Sequence, residues 1–151
     1  MRAVVQRVTR AVVRLQETNE VTGEIGTGVL VLLGVADRDT KQDAEYLAQK
    51  IIKLRIFDDA EGKMNLALDQ VGGAVLAVSQ FTLYGDARGQ NRPSYIRAAR
   101  PEVAQPLYEH FVSKVRELGF RCETGRFQQQ MFVELLNHGP VTLMLDSERQ
   151  I

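Results

Sequence analysis

Four consecutive residues, Ser79-Gln80-Phe81-Thr82, place two hydroxyls and a carboxamide directly after the apolar run 74–78. Where a buried strand reaches solvent, such a group can supply a hydroxyl nucleophile or a water-positioning hydroxyl at Ser79 or Thr82. Backbone N–H groups nearby would hold an oxyanion. The same side chains can instead end a strand by bonding to adjacent backbone. If the strand stays regular, Ser79 and Phe81 share one face, and Gln80 and Thr82 the other. A hydroxyl nucleophile needs a base, and the chain has two histidines, His110 and His138. His110 falls on the polar side of a helical pattern, as a helix-surface residue would. His138 could join Ser79 and Asp86 in a triad, but triads are defined by geometry and nothing in the spacing supports this one.

A second unusual stretch is Asn137-His138-Gly139-Pro140-Val141-Thr142, set between the apolar runs 131–136 and 141–145. Glycine opens backbone angles that other residues avoid; proline fixes φ and lacks an N–H. An X–Pro bond is also the one place where a cis peptide is readily accessible. The plain reading is a hairpin turn between two strands. The alternative is a turn poor in side chains that aims bare carbonyl oxygens at a ligand.

Other chemistry finds little support. A single cysteine, Cys122, leaves no disulfide framework and makes a thiolate zinc site improbable. No His-x-x-x-His pair or carboxylate cluster has ligand spacing, so neither a metal nor another cofactor is expected. Asp58-Asp59-Ala60-Glu61-Gly62 lacks the alternating ligands of a calcium loop. There is no phosphate-binding glycine loop of the nucleotide-binding kinds. The long polar stretch 86–100 carries Arg88, Arg92, Arg97 and Arg100 around Tyr95. It reads either as a solvated loop or as one that binds phosphate. Phe127 and Met131, by spacing alone, are core residues rather than a base-stacking platform.

The elements that must position these residues follow from periodicity. Residues 3–8 and 11–15 read as two valine-rich strands, with turn-forming residues at 18–20 and 22–24. Residues 28–35 form a continuous apolar run, a strand buried on both faces. Asp39 or Thr40 can cap a helix whose apolar face is Ala44, Leu47, Ala48, Ile51 and Leu54, with Gln42 or Asp43 reaching back. A second helix spans 102–118, with Gly119 as its stop and Pro106 predicting an irregular or late start. Residues 131–136 and 141–145 are two strands joined through the glycine–proline turn. Many strands with two helices and no βαβ alternation predict an α+β fold, a β-barrel-like sheet with two main helices packed outside. At 151 residues one domain, 1–151, is expected.

Composition is that of a globular protein, with 44% hydrophobic and 25% charged residues. Nineteen basic and nineteen acidic side chains cancel. Any nucleic-acid contact therefore has to come from a local patch. No apolar run approaches the roughly 18 residues of a membrane span, and no signal peptide is evident at the first residues. A soluble, cytoplasmic protein is expected.

Taken together, Ser79-Gln80-Phe81-Thr82 and Asn137-x-Gly139-Pro140-x-Thr142 resemble the two motifs of the D-aminoacyl-tRNA deacylase family. Supporting stretches are Val5-Gln6-Arg7-Val8, Val21-Thr22-Gly23-Glu24-Ile25-Gly26, Leu54-Arg55-Ile56-Phe57, Gly62-Lys63-Met64-Asn65, Arg92-Pro93-Ser94 and Gly125-Arg126-Phe127. The resemblance runs over nearly the whole chain. It implies a homodimer in which each active site is completed by the other subunit's glycine–proline turn, with a cis peptide at Gly139–Pro140. The substrate implied is the aminoacylated 3′ end of tRNA, carrying a D-amino acid or glycine, with L-amino acids rejected by clash against the turn. Ser79, Gln80, Phe81 and Thr82 are then catalytic; Asn137, Gly139, Pro140, Thr142, Phe127 and Met131 bind substrate. Thr82 matches the position proposed as nucleophile, although no base accompanies it. The alternative is that the substrate's own ribose hydroxyl activates water. His138 departs from the family's usual aspartate. Two other functions remain open at this point: a nucleic-acid-binding module without catalysis, and a small-molecule esterase using Ser79 or Thr82.

Overall fold

The computed structural model describes all of residues 1–151. Its first strand, β1, is a single one, Arg2–Leu15, instead of the two expected. A polar pair, Thr9 and Arg10, interrupts the valines but not the strand, because both are exposed while the strand pairs on either side of them. β2 (Val21–Ile25) and β3 (Gly28–Gly34) both run antiparallel to β1. Ala11 pairs with Ile25 and Val8 with Gly28, the same offset, so β2 and β3 continue one another along β1. Residues 22–24, expected to turn, therefore lie inside β2. Gly23 is there for space: a Cβ on it would sit 2.6 Å from the Thr124 carbonyl oxygen.

β3 is buried on both faces, as its unbroken apolar run predicts, and pairs in parallel with β6 (Ala74–Ser79). β6 in turn pairs with β7 (Cys122–Thr124). β7 curls back toward β2, where the Arg121 guanidinium donates to the Glu24 carbonyl at 2.9 Å. The sheet is thus a nearly closed barrel. A small hairpin, β4 (Phe57–Asp58) with β5 (Met64–Leu66), stands apart from it. In its turn the Asp59 carboxylate accepts the N–H groups of Glu61 and Lys63 at 2.9 and 3.0 Å, and the Lys63 N–H above all holds its pKa below the usual carboxylate range.

Two helices cover the sheet from outside. α1 (Lys41–Ile52) starts at Thr40, whose N–H and hydroxyl both donate to the Asp43 carboxylate, at 2.8 and 2.9 Å. Asp39, the other capping candidate, is instead buried, accepting from the Met1 α-ammonium at 2.6 Å and the Ala36 N–H at 2.7 Å. The helix ends before Leu54, which packs from the following turn. α2 (Pro101–Glu117) corrects the expectation about Pro106. It starts at Pro101 and continues through Pro106 without a break. Both Pro106 and Glu102, whose carbonyl loses its partner, are exposed, so water can satisfy that group. Gly119, at φ +94°, stops the helix as expected.

Alternation along β3 sorts two cores. Val29, Val31 and Leu33 face the helices, packing with Leu47, Ile51, Phe111 and Val115. Leu30 faces the barrel interior with Val8, Val13, Leu76 and Val78. Cys122 belongs to the helix-side core, and burial pushes its thiol up to about 12. Alkylation of the native protein at pH 8 should therefore run about a thousandfold slower than for an ordinary thiol. Labelling at ordinary speed without unfolding would show that this core opens. No helix is long and apolar enough to cross a membrane.

β8 (Met131–Asp146) overturns the hairpin reading of the glycine–proline turn. Its two halves do not pair with each other. Both pair with β1: Asn137 opposite Val8 and Thr142 opposite Gln6. Residues 138–141 therefore bulge out of one continuous strand opposite the single residue Arg7. β8 pairs with no other strand, so its second edge is open, and Phe132, Leu136 and Met144 are exposed along it.

Candidate active site

The Ser79–Thr82 segment turns a corner. β6 ends at Ser79, the Gln80 N–H donates to the Leu33 carbonyl at 2.8 Å, and Phe81–Tyr84 winds into one turn of 3-10 helix. The predicted alternation of faces stops at Ser79, because residues in a 3-10 turn no longer point to opposite sides of a sheet. The corner leaves the Phe81 and Thr82 N–H groups ahead of any i→i+3 acceptor, and neither has a partner elsewhere in the fold. Thr82 is exposed, and its hydroxyl accepts the Gln80 amide at 2.5 Å. Phe81 is 55% exposed and meets the Tyr95 ring edge to face, centroids 5.2 Å apart. From behind, Arg2 braces the turn: it donates to the Leu83 carbonyl at 3.1 Å and lies over the Tyr84 ring.

A cleft of about 690 Å³ opens beside this corner. Ser79, Gln80 and Phe81 form one wall, Tyr95 and Arg100 with the start of α2 a second, and Phe127 and Met131 a third. The structure thus joins five of the candidate residues. Phe127 and Met131 are half-buried, each touching a core on one side and the cleft on the other, so the core reading holds for only part of each side chain. Thr82 stands at the corner but is not part of the cleft lining, and none of Asn137, Gly139, Pro140 or Thr142 contributes to it.

The bulge bearing those four residues is held from inside by Arg7. Its guanidinium, 4% exposed, donates through Nε to the His138 carbonyl at 3.1 Å and through Nη2 toward the Gly139 carbonyl at 3.5 Å. Nη1 binds the Ile56 carbonyl at 2.7 Å and Asp58 at 3.3 Å. Asn137 closes the base of the bulge, its amide donating to the Arg7 and Val141 carbonyls at 2.9 and 3.1 Å. The Thr142 hydroxyl accepts from Gln6 at 3.3 Å. The Gly139–Pro140 peptide is cis, and residues 137–140 are exposed. Position 138 is engaged with Arg7 through its backbone oxygen rather than its imidazole, so this contact does not depend on which side chain stands there. Arg7 escaped notice as a functional residue in the sequence. Its one signal there was an arginine in a valine-rich strand, and its target lies 131 residues away.

The imagined triad does not assemble. Asp86 is taken by Arg88, whose side chain and N–H hold the Asp86 carboxyl well below the usual carboxylate range. His110 bridges the two helices, its Nε2 2.9 Å from the Glu45 carboxylate, rather than standing free on the surface. No histidine or carboxylate contacts Ser79 or Thr82, and no group of three or more His, Cys, Asp or Glu side chains is arranged to hold a metal ion.

Comparison with known proteins bears on the chain as a whole. A family model described as D-Tyr-tRNA(Tyr) deacylase matches residues 4–146. A D-aminoacyl-tRNA deacylase of Symbiobacterium thermophilum is 58% identical over 149 residues, 99% of this chain and 97% of that one. Those of Koribacter versatilis and Anaeromyxobacter dehalogenans are 59% and 61% identical, each covering 99% of both chains. Among solved structures, the c-Myc DNA Unwinding Element Binding Protein superposes with a TM-score of 0.89 at 37% identity, covering 97% of this chain and 98% of that one. A probable eukaryotic D-amino acid tRNA deacylase superposes with a TM-score of 0.80 at 19% identity, over 95% and 97% of the two chains, a likeness of fold.

Proposed function

Because the chain belongs to the D-Tyr-tRNA(Tyr) deacylase family, we propose that it hydrolyses the ester joining a D-amino acid to the 3′-terminal adenosine of tRNA, using residues 1–151 as one catalytic domain. The observation that carries the reading at the level of residues is the exposed main-chain bulge pinned by the buried Arg7. A carbonyl oxygen has two lone pairs. The His138 and Gly139 carbonyls can each accept from Arg7 on one side and still face an α-ammonium on the other. Gly139 brings no side chain and Pro140 only a ring, so the bulge presents a fixed backbone surface. An L-substituent would be driven into that surface, while a D-substituent or the hydrogen of glycine would point away. Glycyl-tRNA is accordingly a substrate as well.

The cleft of the same chain is not lined by this bulge, which supports a site whose two halves come from two subunits. The open edge of β8 supports a homodimer. A long unpaired strand edge with exposed Phe132, Leu136 and Met144 is the kind of surface that proteins cover. In the assembled site, Phe127 and Met131 hold the adenosine, and Ser79 and Gln80 line its approach. The Phe81 and Thr82 N–H groups stabilise the oxyanion as water adds to the ester carbon. The ribose 2′-hydroxyl orients and activates that water; the proton finally rests on the departing 3′-oxygen, leaving free D-amino acid and tRNA. The side chains need supply no base. An enzyme acting on tRNA works where the tRNA is, which places this one in the cytoplasm.

One assay separates this function from its rivals: incubation with matched D- and L-aminoacyl-tRNA and with a free amino acid ester. Cleavage of the D form alone is expected. Binding without turnover would instead favour a nucleic-acid-binding module, the class to which the name of the 37%-identical structure points. Cleavage independent of tRNA would favour an esterase. Within the deacylase reading, Thr82→Ala should keep kcat on natural tRNA within about tenfold, whereas a terminal 2′-deoxyadenosine should cost about a hundredfold or more. An inactive Thr82→Ala enzyme that still binds tRNA would make the hydroxyl the nucleophile.

A further inference from the structure

A run of arginines without acidic partners lies in the polar loop that carries Tyr95 and Arg100 into the cleft wall. Between Asp86 and Pro101 the sequence carries four arginines and no acidic residue other than Asp86 itself. Arg88 is consumed by Asp86, to which it donates through Nε, Nη2 and its own N–H. The side chains of Arg92, Arg97 and Arg100 are exposed and make no hydrogen bond or ion pair in the fold, although Arg97 adds to the positive field that keeps Asp86 ionised. Several other surface arginines are answered by acids: Arg10 by Glu24 and Glu134, Arg38 by Glu148, Arg121 by Glu123, Arg126 by Glu20. In a chain of zero net charge, three free guanidiniums within nine residues form a local electropositive strip. The nearest acidic neighbour in sequence beyond them is Glu102, in the first turn of α2.

The strip is held in place. Asp86 and Ser94 exchange backbone hydrogen bonds of 2.8 Å, the Ala98 N–H donates to the Tyr95 carbonyl at 3.0 Å, and the Ala99 N–H donates to the Val35 carbonyl at 2.8 Å. Tyr95 is fixed against Phe81, and Arg100 and Tyr95 both line the cleft. A polar loop with no helix or strand of its own is thus tied to the body at both ends and in the middle, with three arginines facing out.

We propose that Arg92, Arg97 and Arg100 seat the phosphodiester backbone of the single-stranded 3′ end of an RNA whose terminal nucleoside occupies the cleft. The inference rests on the deacylase reading for the identity of that nucleoside. A cleft of about 690 Å³ has room for one aminoacylated nucleoside, so the nucleotides before it must leave across the rim. The guanidinium fork matches phosphate oxygens in pairs, and its weak hydration lets it trade water for phosphate. These contacts are indifferent to base identity. They serve affinity for the RNA and leave selection of the amino acid to the bulge.

The test measures binding of an uncharged RNA hairpin with a short single-stranded 3′ tail across a series of KCl concentrations. The proteins compared are the wild type, Arg97→Gln, the Arg92→Gln/Arg97→Gln/Arg100→Gln triple variant, and a Lys50→Gln/Lys53→Gln control on α1. Removing one phosphate-binding guanidinium should flatten the log Kd against log salt slope by about 0.7. The triple variant should lose about two units of slope while the control keeps the wild-type value. A triple variant with the wild-type slope, or a control that loses as much, would overturn the proposal. A second arm measures cleavage of D-aminoacyl-adenosine, which has no phosphate. Arg97→Gln, whose residue does not line the cleft, should match the wild type there; a parallel fall would mean that the strip shapes the cleft instead. If the wild type cleaves neither substrate, the deacylase reading fails, and the binding arm still decides the role of the strip.

Discussion

Gly139→Ala is expected to yield a protein as stable as the wild type that has lost about a hundredfold or more in kcat/KM on D-aminoacyl-tRNA. The two halves of that expectation have separate grounds. Gly139 is not in the left-handed region of backbone space, and a Cβ built on it meets nothing nearer than the Asn137 carboxamide oxygen at 4.0 Å. Within its own subunit the methyl group hangs in open space, so thermal unfolding should be unchanged. The penalty arises only if something outside the chain approaches the bulge closely. A substrate whose α-ammonium is gripped by the neighbouring carbonyls would do so, and an added carbon would lift it from them. Thermal denaturation and single-turnover deacylation on the same preparation settle the matter. Full activity in the alanine variant would remove the bulge from the site.

Arg7 should show the opposite pattern, with stability and selectivity failing together. Arg7→Ala strands the buried Ile56 carbonyl and frees the His138 and Gly139 carbonyls. At about 1–3 kcal/mol for an unsatisfied buried group plus the missing packing, a destabilisation of about 3 kcal/mol is expected. Arg7→Lys is the informative companion. An ammonium can keep the charge beside Asp58 and one carbonyl contact, but it cannot reach Ile56, His138 and Gly139 at once, because it lacks the planar fork. That variant should fold, and its preference for D- over L-aminoacyl-tRNA should fall by about tenfold or more, chiefly through a gain of activity on the L substrate. An unchanged D/L ratio in a folded Arg7→Lys protein would show that Asn137 alone keeps the bulge in shape.

Together with the Arg2 contact behind the Phe81–Tyr84 turn, these contacts give β1 a second task. It is the central pairing partner of the barrel, and its side chains also reach both halves of the proposed site: Arg2 behind Phe81–Tyr84, Arg7 beneath residues 138–141. Substitutions that shift β1 by one residue would misplace both at once, since a slip of one flips every side chain.

Much of this protein follows from local sequence. The Thr40–Asp43 start of α1, the Gly119 stop of α2 and the doubly buried β3 all depend on interactions within a few residues, and those are written in composition and period. The two motif stretches are legible as well, through their resemblance to those of the D-aminoacyl-tRNA deacylase family rather than through residue type alone. What local pattern could not reveal was partner choice. Apolar runs at 131–136 and 141–145 separated by Gly-Pro look the same whether they pair with each other or with a third strand. Only the register against β1 shows that the apparent hairpin is a bulge. Nor does any period reveal that Arg7, buried in a valine strand, aims at a carbonyl 131 residues on. The cleft likewise gathers Ser79, Gln80, Phe81, Phe127 and Met131 from distant segments and leaves the glycine–proline bulge outside it. Short-range physics set the helix ends and the doubly buried strand that surround the candidate residues. Long-range strand pairing, which has no sequence period of its own, decided where each one faces.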